Sequence, residues 1–285
     1  MSTALGRGRR VRRFRGVVRH LVLLAFLLVM LYPVLWMIVS SFRPNHLVLT
    51  ETGLIPSELT LENYRQGWNA LNKPFSTFFI NSFIVTIGSI IGNLTSCSMA
   101  AYALARLNFT GKRLYLAITL VSVMLPIHVL VIPQYVMFAK VGMLNTFYPL
   151  LLPKFLATDA FFTFLMVQFI RTIPRELDEA ASIDGAGPFR IFWSVILPLM
   201  RSALATTTIF TFIWTWNDFF LPLIYLTSTP QYTVSVALNS LVNDQTQQGT
   251  GMLLAMSLLS VLPVLTVFAV AQRHLVRGIA TTGLK

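Results

Sequence analysis

Six stretches of the chain run long without charge: 21–42, 75–105, 114–139, 146–170, 202–226 and 251–272. A helix rises 1.5 Å per residue and a bilayer core is about 30 Å thick, so about 20 apolar residues span it. Each stretch therefore predicts a transmembrane helix. The third is interrupted by Pro126 and Pro133, and the fourth holds Pro149, Pro153, Lys154 and Asp159. Prolines are tolerated inside a span because neighbouring groups satisfy the freed carbonyls, so these predict kinks rather than ends. The expected fold is all-α and polytopic, with a basic tail over 1–20, a transmembrane domain over 21–276 and a tail over 277–285. No internal repeat is visible.

Composition agrees with this pattern. Of 285 residues, 55% are hydrophobic and 11% charged, with a mean hydropathy of +0.70. Soluble domains carry about 25% charge, so a water-soluble globule is excluded. A net charge of +12 would ordinarily raise nucleic acid as a partner. The basic residues instead collect at the ends of the apolar runs. Seven arginines precede Leu21, and Arg106, Lys112 and Arg113 follow the second run. Arg171, Arg175, Arg190 and Arg201 follow the fourth, and Arg273, Arg277 and Lys285 close the chain. These 17 of the 22 cations fall on one side of a six-span topology, and by the positive-inside rule that side is cytosolic. Both termini are then expected to be cytosolic, the chain is embedded in membrane lipid, and nucleic acid is no partner. Arg12-Arg13-Phe14 before an apolar stretch is also the pattern of a twin-arginine export signal. The run that follows has 22 uncharged residues, against 7–15 in a cleavable signal, and so is expected to be retained. The single Cys97 excludes a disulfide framework and a cysteine metal site.

The longest polar connection, 171–198, has its own structure. Pro174 and the acids Glu176, Asp178 and Glu179 suit the first turn of a helix, where the dipole is positive. Asp184-Gly185-Ala186-Gly187-Pro188 reads as a turn, and a second short helix over 189–196 follows before Leu197-Pro198. On physics alone this is equally well an amphipathic connector lying on the membrane surface.

Glu179-Ala180-Ala181, then Asp184-Gly185-Ala186, with Ile196-Leu197-Pro198 ten residues on, resembles the EAA signature of ABC importer permeases. Ala101-Tyr102-Ala103-Leu104-Ala105-Arg106 with Gly111-Lys112-Arg113, Trp216-Asn217-Asp218-Phe219 with Pro222-Leu223, and Gln272-Arg273 with Leu275-Val276-Arg277-Gly278 resemble further motifs of the maltose-type, six-span carbohydrate permeases. Ser202 departs from the proline that the family often has after the Leu-Pro pair. The resemblance implies a non-catalytic subunit of a binding-protein-dependent importer in the cytoplasmic membrane of a prokaryote, moving a sugar or sugar-like polyol by alternating access. It implies a second transmembrane permease as heterodimer partner, two ATPase subunits and an extracytoplasmic solute-binding protein. This chain has no G-x-x-x-x-G-K-[ST] phosphate loop, so ATP and Mg would be used by the partner ATPase, and no cofactor or metal is expected here. Glu179, Ala180, Ala181, Asp184, Gly185 and Ala186 would couple to the ATPase, with Arg273 and Arg277 of the tail as a second contact. The outer loop residues Gln245, Gln247, Gln248 and Gly249 would meet the binding protein, unless that loop is merely a flexible, solvated connection.

Two polar stripes run along apolar spans. Ser82, Thr86, Ser89, Asn93 and Ser96 share one face of span two, where Gly88-x-x-x-Gly92 also allows a close-packing role. Thr207, Thr211, Trp214 and Asp218, with neighbouring Asn217, are candidates for the substrate pathway on span five, with Asp218 also suited to capping. Trp214 or Trp216 could stack on a sugar ring. Asp159 is expected to pair with Lys154, and His128 to be hydrogen-bonded in a kink. Two rivals remain: an ion-gradient-driven secondary transporter of a small polar solute, which needs paired intramembrane acids, and a membrane enzyme, which needs a nucleophile with its base or a metal set.

Overall fold

A computed structural model describes the backbone of residues 3–243 and 249–282 and the side chains of 16–242 and 249–272. Among the described residues every regular element is helical. They are α1 (Thr3–Ser41), α2 (Asn45–Val48), α3 (Glu62–Trp68), α4 (Phe75–Arg106), α5 (Lys112–Val123), α6 (Ile127–Lys140), α7 (Tyr148–Phe155), α8 (Ala160–Thr172), α9 (Glu176–Ile183) and α10 (Pro188–Ile191). A π-turn, Phe192–Ile196, leads into α11 (Leu197–Leu199), α12 (Arg201–Asn217), α13 (Phe220–Tyr225), α14 (Val234–Asn243) and α15 (Thr250–Thr282), with a 3-10 turn at Thr229–Gln231. Contacts divide the chain into two units, Met1–Trp68 with Leu241–Leu259, and Asn69–Ser240 with Ser260–Lys285.

Among the described residues, four helical segments are long and apolar enough to cross a membrane: Gly16–Ser41, Phe75–Arg106, Tyr148–Thr172 and Thr250–Gln272. The count rises to six when each of two bent pairs is taken as one span. The predicted third span is one of these pairs: α5 and α6 meet at 106°, a corner rather than a kink. Pro126 disfavours helix at Leu125 and precedes the first turn of α6, so the chain is free to turn there. Pro133, by contrast, is carried inside α6. The predicted fifth span is also shorter than its apolar run. α12 ends at Asn217, Asp218 takes an extended conformation, and α13 restarts at Phe220. At its other end α12 bends by 75° from Pro188–Leu199.

In the first unit, residues 17–35 of α1 are exposed all round, as suits a helix solvated by lipid. Beyond it a polar knot forms around Arg43, whose side chain is fully buried. Its guanidinium donates to Ser40 Oγ (3.2 Å) and to the carbonyls of Glu51 (2.7 Å) and Gly53, and pairs with the Glu51 carboxylate at 3.3 Å. The Ser57 hydroxyl, helped by its amide and by Arg43, holds the Glu51 carboxyl below the usual carboxylate range. Asn63 donates to the carbonyls of Ser41 and Arg43, and the amide of Gly251 donates to Asn45 Oδ1 at 2.9 Å.

The second unit is organised on α4, which packs against α7, α8 and α12. Small residues set these distances. A Cβ on Gly92 would stand 2.9–3.0 Å from Lys154 and Phe155, and one on Gly88 would stand 2.7 Å from a Leu151 methyl. Gly88-x-x-x-Gly92 is thus a close-packing face against α7, as its spacing allows. One apolar core joins α4, α8 and the 191–200 segment through Cys97, Ala101, Tyr102, Phe162, Met166, Ile170, Phe192, Ile196 and Met200.

Candidate functional site

The connection after α8 forms a compact, capped helical hairpin. Glu176, Asp178 and Glu179 occupy the first turn of α9. Its end is closed by two bonds, Gly185 N–H to Ser182 O (3.0 Å) and Ala186 N–H to Ala181 O (2.9 Å). This is the Schellman arrangement, and Gly185 adopts the left-handed φ of +81° that it needs at the position after the cap. Ala181 and Ala186, the pair brought together by this turn, both pack on the core shared with α4 and α8. The other face is open: Glu179, Ala180, Asp184 and Gly185 are exposed, and so are Leu177, Ile183 (86%) and Phe189 (66%). Exposed apolar side chains rimmed by carboxylates are a surface suited to another protein.

A buried contact holds the hairpin to the bundle. Arg106, the last residue of α4, sets its Nε 2.9 Å from Asp178 Oδ2 and donates from Nη2 to Ile173 O at 2.6 Å. The side chains are 6% and 18% exposed. Sequence reasoning grouped Asp178 with the acids of the helix dipole and missed this partner. A signal was present, because Asp178 lies one turn from Ala181 on the face that packs inward.

Inside the spans, α7 and α8 are separated by a break at 156–159, where Ala157 takes a φ of +55°. Lys154 and Asp159 bridge it, with Nζ 2.9 and 3.1 Å from the two carboxylate oxygens. Asn93 Nδ2 donates to Asp159 Oδ2 at 2.6 Å and lies 3.2 Å from Thr211 Oγ1. Ser96 Oγ donates to Lys154 O at 2.6 Å. The charge pair expected from sequence is therefore formed, and it knots α4, α7, α8 and α12 together. An intramembrane ion pair has reason to exist only where such partners neutralise it.

The two polar stripes have different settings. Ser82, Thr86, Ser89 and Asn93 are buried in packing, with Ser82 accepting from the Val234 amide at 2.9 Å. Thr207 and Thr211 are buried as well, and among the described residues the hydroxyls of Thr86, Ser89 and Thr207 have no hydrogen-bond partner. Trp214 is half exposed beside Phe161, Phe162 and Phe210, with ring centroids 5.2–5.6 Å away. Trp216 is buried, stacked on Phe212, and donates to Ser260 O at 3.0 Å. Asn217 is exposed and bonded to Ile213 O, while Asp218 Oδ1 accepts from the Leu221 amide at 3.3 Å and caps α13. His128 sits against the Phe220 ring at 4.7 Å rather than in the hydrogen bond expected of it. Among the described residues no group of three His, Cys, Asp or Glu could hold a metal. Gly249 is buried and its carbonyl accepts from Leu253. Gln245, Gln247 and Gln248 lie outside the described residues, as do the side chains of Arg273 and Arg277.

Comparison with known proteins places this geometry in context. Residues 92–281 match the model of a family described as the binding-protein-dependent transport system inner membrane component. The diacetylchitobiose uptake system permease protein NgcG of Streptomyces coelicolor is 31% identical, over 94% of this chain and 88% of that protein. The arabinooligosaccharides transport system permease protein AraQ of Halalkalibacterium halodurans is 33% identical, over 89% and 91%. The sn-glycerol-3-phosphate transport system permease protein UgpE of Pectobacterium atrosepticum is 33% identical, over 94% and 97%. A crystal structure of a bacterial ABC transporter involved in the import of the acidic polysaccharide alginate contains a chain of the same fold. It superposes with a TM-score of 0.81 at 24% identity, over 93% of this chain and 97% of that one.

Proposed function

The chain belongs to the family of binding-protein-dependent transport inner-membrane components and is a permease subunit of an ABC importer, and from that premise we propose that it carries a sugar or sugar-like polyol across the cytoplasmic membrane by alternating access. In this reading it pairs with a second permease and is energised by two separate ATPase subunits that use ATP and Mg. An extracytoplasmic binding protein delivers the cargo. Helix α9 and its glycine turn form the coupling element. Glu179, Ala180, Asp184 and Gly185 meet the ATPase, while Ala181 and Ala186 carry the load into the bundle. The tail residues Arg273 and Arg277 add a second ATPase contact, and Gln245, Gln247, Gln248 and Gly249 face the binding protein. Trp214, Asn217 and Asp218 serve the pathway, with the exposed Trp214 ring free to stack on a sugar, while Thr207 and Thr211, buried in helix packing, support it from behind.

The observation that carries this reading is the rigid, capped hairpin at 176–200 with an open face of Leu177, Ile183 and Phe189. The test is purification of the full chain from its native membrane in mild detergent. A bound ATPase with a phosphate loop and a second permease are expected. ATP-driven uptake is then assayed with diacetylchitobiose, an arabinooligosaccharide and sn-glycerol-3-phosphate. A chain that purifies alone, or uptake that follows an ion gradient without ATP, would overturn it.

A further inference from the structure

The Arg106–Asp178 pair joins the end of α4 to the first turn of α9. We propose that it is a strut that transmits movement of α9 into α4, so that Arg106 and Asp178 are positioning residues for coupling. This rests on the reading of α9 as the ATPase-coupling helix.

Helix α9 is joined to its neighbours in three ways. The chain links it to α8 through 173–175 and to α10 through the Gly185 turn. Ala181 and Ala186 give it an apolar contact with the core, which is non-directional and can slide. Among the described side chains, the Arg106 guanidinium adds a directed polar contact. Arg106 grips the link at both ends, the Ile173 carbonyl where α8 stops and the Asp178 carboxylate in the first turn of α9. Arginine suits this because its planar fork presents several donors in a fixed geometry, which a lysine cannot do. Both charges are largely buried, so salt screens the ion pair weakly, and the bond from Nη2 to the Ile173 carbonyl is charge-assisted and short. The neighbourhood contains the further cations Lys112, Arg171 and Arg175, whereas Glu176 and Glu179 are exposed. Asp178 is thus the acid that is turned inward. The receiving helix is the one on which the unit is organised: α4 packs against α7, α8 and α12. About 20 Å along it from Arg106, Asn93 joins the Asp159–Lys154 pair and Thr211. A displacement of α9 that reaches Arg106 therefore reaches the knot inside the spans.

The experiment uses the assembled transporter in nanodiscs, with a bimane label on Ile80→Cys near the opposite end of α4, where the side chain is 57% exposed. Native Cys97 is fully buried and should stay unlabelled. The wild-type chain should show a change in bimane emission when Mg-AMP-PNP is added. Arg106→Gln and Asp178→Asn should bind the ATPase at wild-type stoichiometry and hydrolyse ATP, while the emission change falls at least about fivefold. Arg106→Lys, which keeps the charge and a donor but not the fork, should fall less. A full response in both single variants would overturn the proposal. So would variants that only lower the melting temperature and respond normally once assembled, which is the behaviour of a residue that merely supports folding. Failure of the wild-type chain to bind any ATPase would instead overturn the importer reading on which the strut depends, and the two failures are distinguishable in the first purification.

Discussion

Gly185 carries a φ of +81° with nothing within 4 Å of where a Cβ would stand. The glycine is therefore required by backbone conformation and not by space. A left-handed conformation costs an ordinary L-residue about 1–2 kcal/mol, and more for a β-branched side chain, whereas asparagine adopts it more readily. Gly185→Asn should keep most ATP-driven uptake. Gly185→Val should leave the spans assembled but uncouple hydrolysis from uptake, because the Schellman turn that sets Ala186 against Ala181 is lost; normal uptake by Gly185→Val would sink its coupling role. Charge gives the second prediction at this scale. Asp159→Asn leaves Lys154 without its counter-charge inside the spans, and stranding one partner of a buried pair costs about 3–5 kcal/mol. Lys154 and Asp159 are about a quarter exposed, so the lower end applies. Replacing both, as Lys154→Met with Asp159→Leu, should cost less than either single change. Melting in detergent with a thiol-reactive dye distinguishes them, and a double variant less stable than both singles would contradict the argument.

Helices of this chain are placed by how closely they can approach, and Gly88 and Gly92 test that differently. The atom that would meet a Cβ on Gly88 is a Leu151 methyl, the far end of a side chain that can swing. On Gly92 the obstacles include the Lys154 carbonyl carbon, which belongs to the backbone beside the α7–α8 break. Overpacking of the second kind costs about 1–3 kcal/mol, so Gly92→Ala should lower the melting temperature clearly more than Gly88→Ala. Equal effects would mean that α7 shifts freely against α4. The same contrast shows what was legible in the sequence. Apolar run length predicted α1, α4 and α15, since hydropathy is a local property. The Lys154–Asp159 pair was legible because both partners sit in one short segment. The 106° corner at Pro126 was not, because a proline shows where a helix can stop and not which way the chain leaves. The end of α12 at Asp218 was not either, since the apolar run continues past it to Leu226. Arg106 and Asp178 lie in different connections far apart in sequence, and only the packing of α8 on α4 brings them together.

Over the whole molecule the corner between α5 and α6 sets how many times the chain crosses the membrane. If the pair is one broken span, its two ends lie on opposite faces; if it is re-entrant, they lie on the same face. The positive-inside rule favours the first, since a six-span path gathers 17 of the 22 cations on one side. Cys97 is the single native cysteine and is fully buried, so introduced cysteines can be read against a silent background. Three exposed positions suffice: Ile55 (89%) between α2 and α3, Val141 (59%) just after α6, and Ile183 (86%) at the end of α9. An impermeant maleimide should label Ile55→Cys and Val141→Cys from the outer face of intact cells, and Ile183→Cys only in inverted vesicles stripped of the ATPase. Labelling of Val141→Cys from the inner face would make α5–α6 a re-entrant pair. It would also place Lys140 on the cytosolic side with Arg113, so that the next crossing, Tyr148–Thr172, would run outward. Helix α9 would then lie on the outer face, away from any ATPase. The position of one residue after α6 thus tests the topology and the placing of the coupling helix together, since an even number of crossings must separate α9 from the basic N-terminal tail.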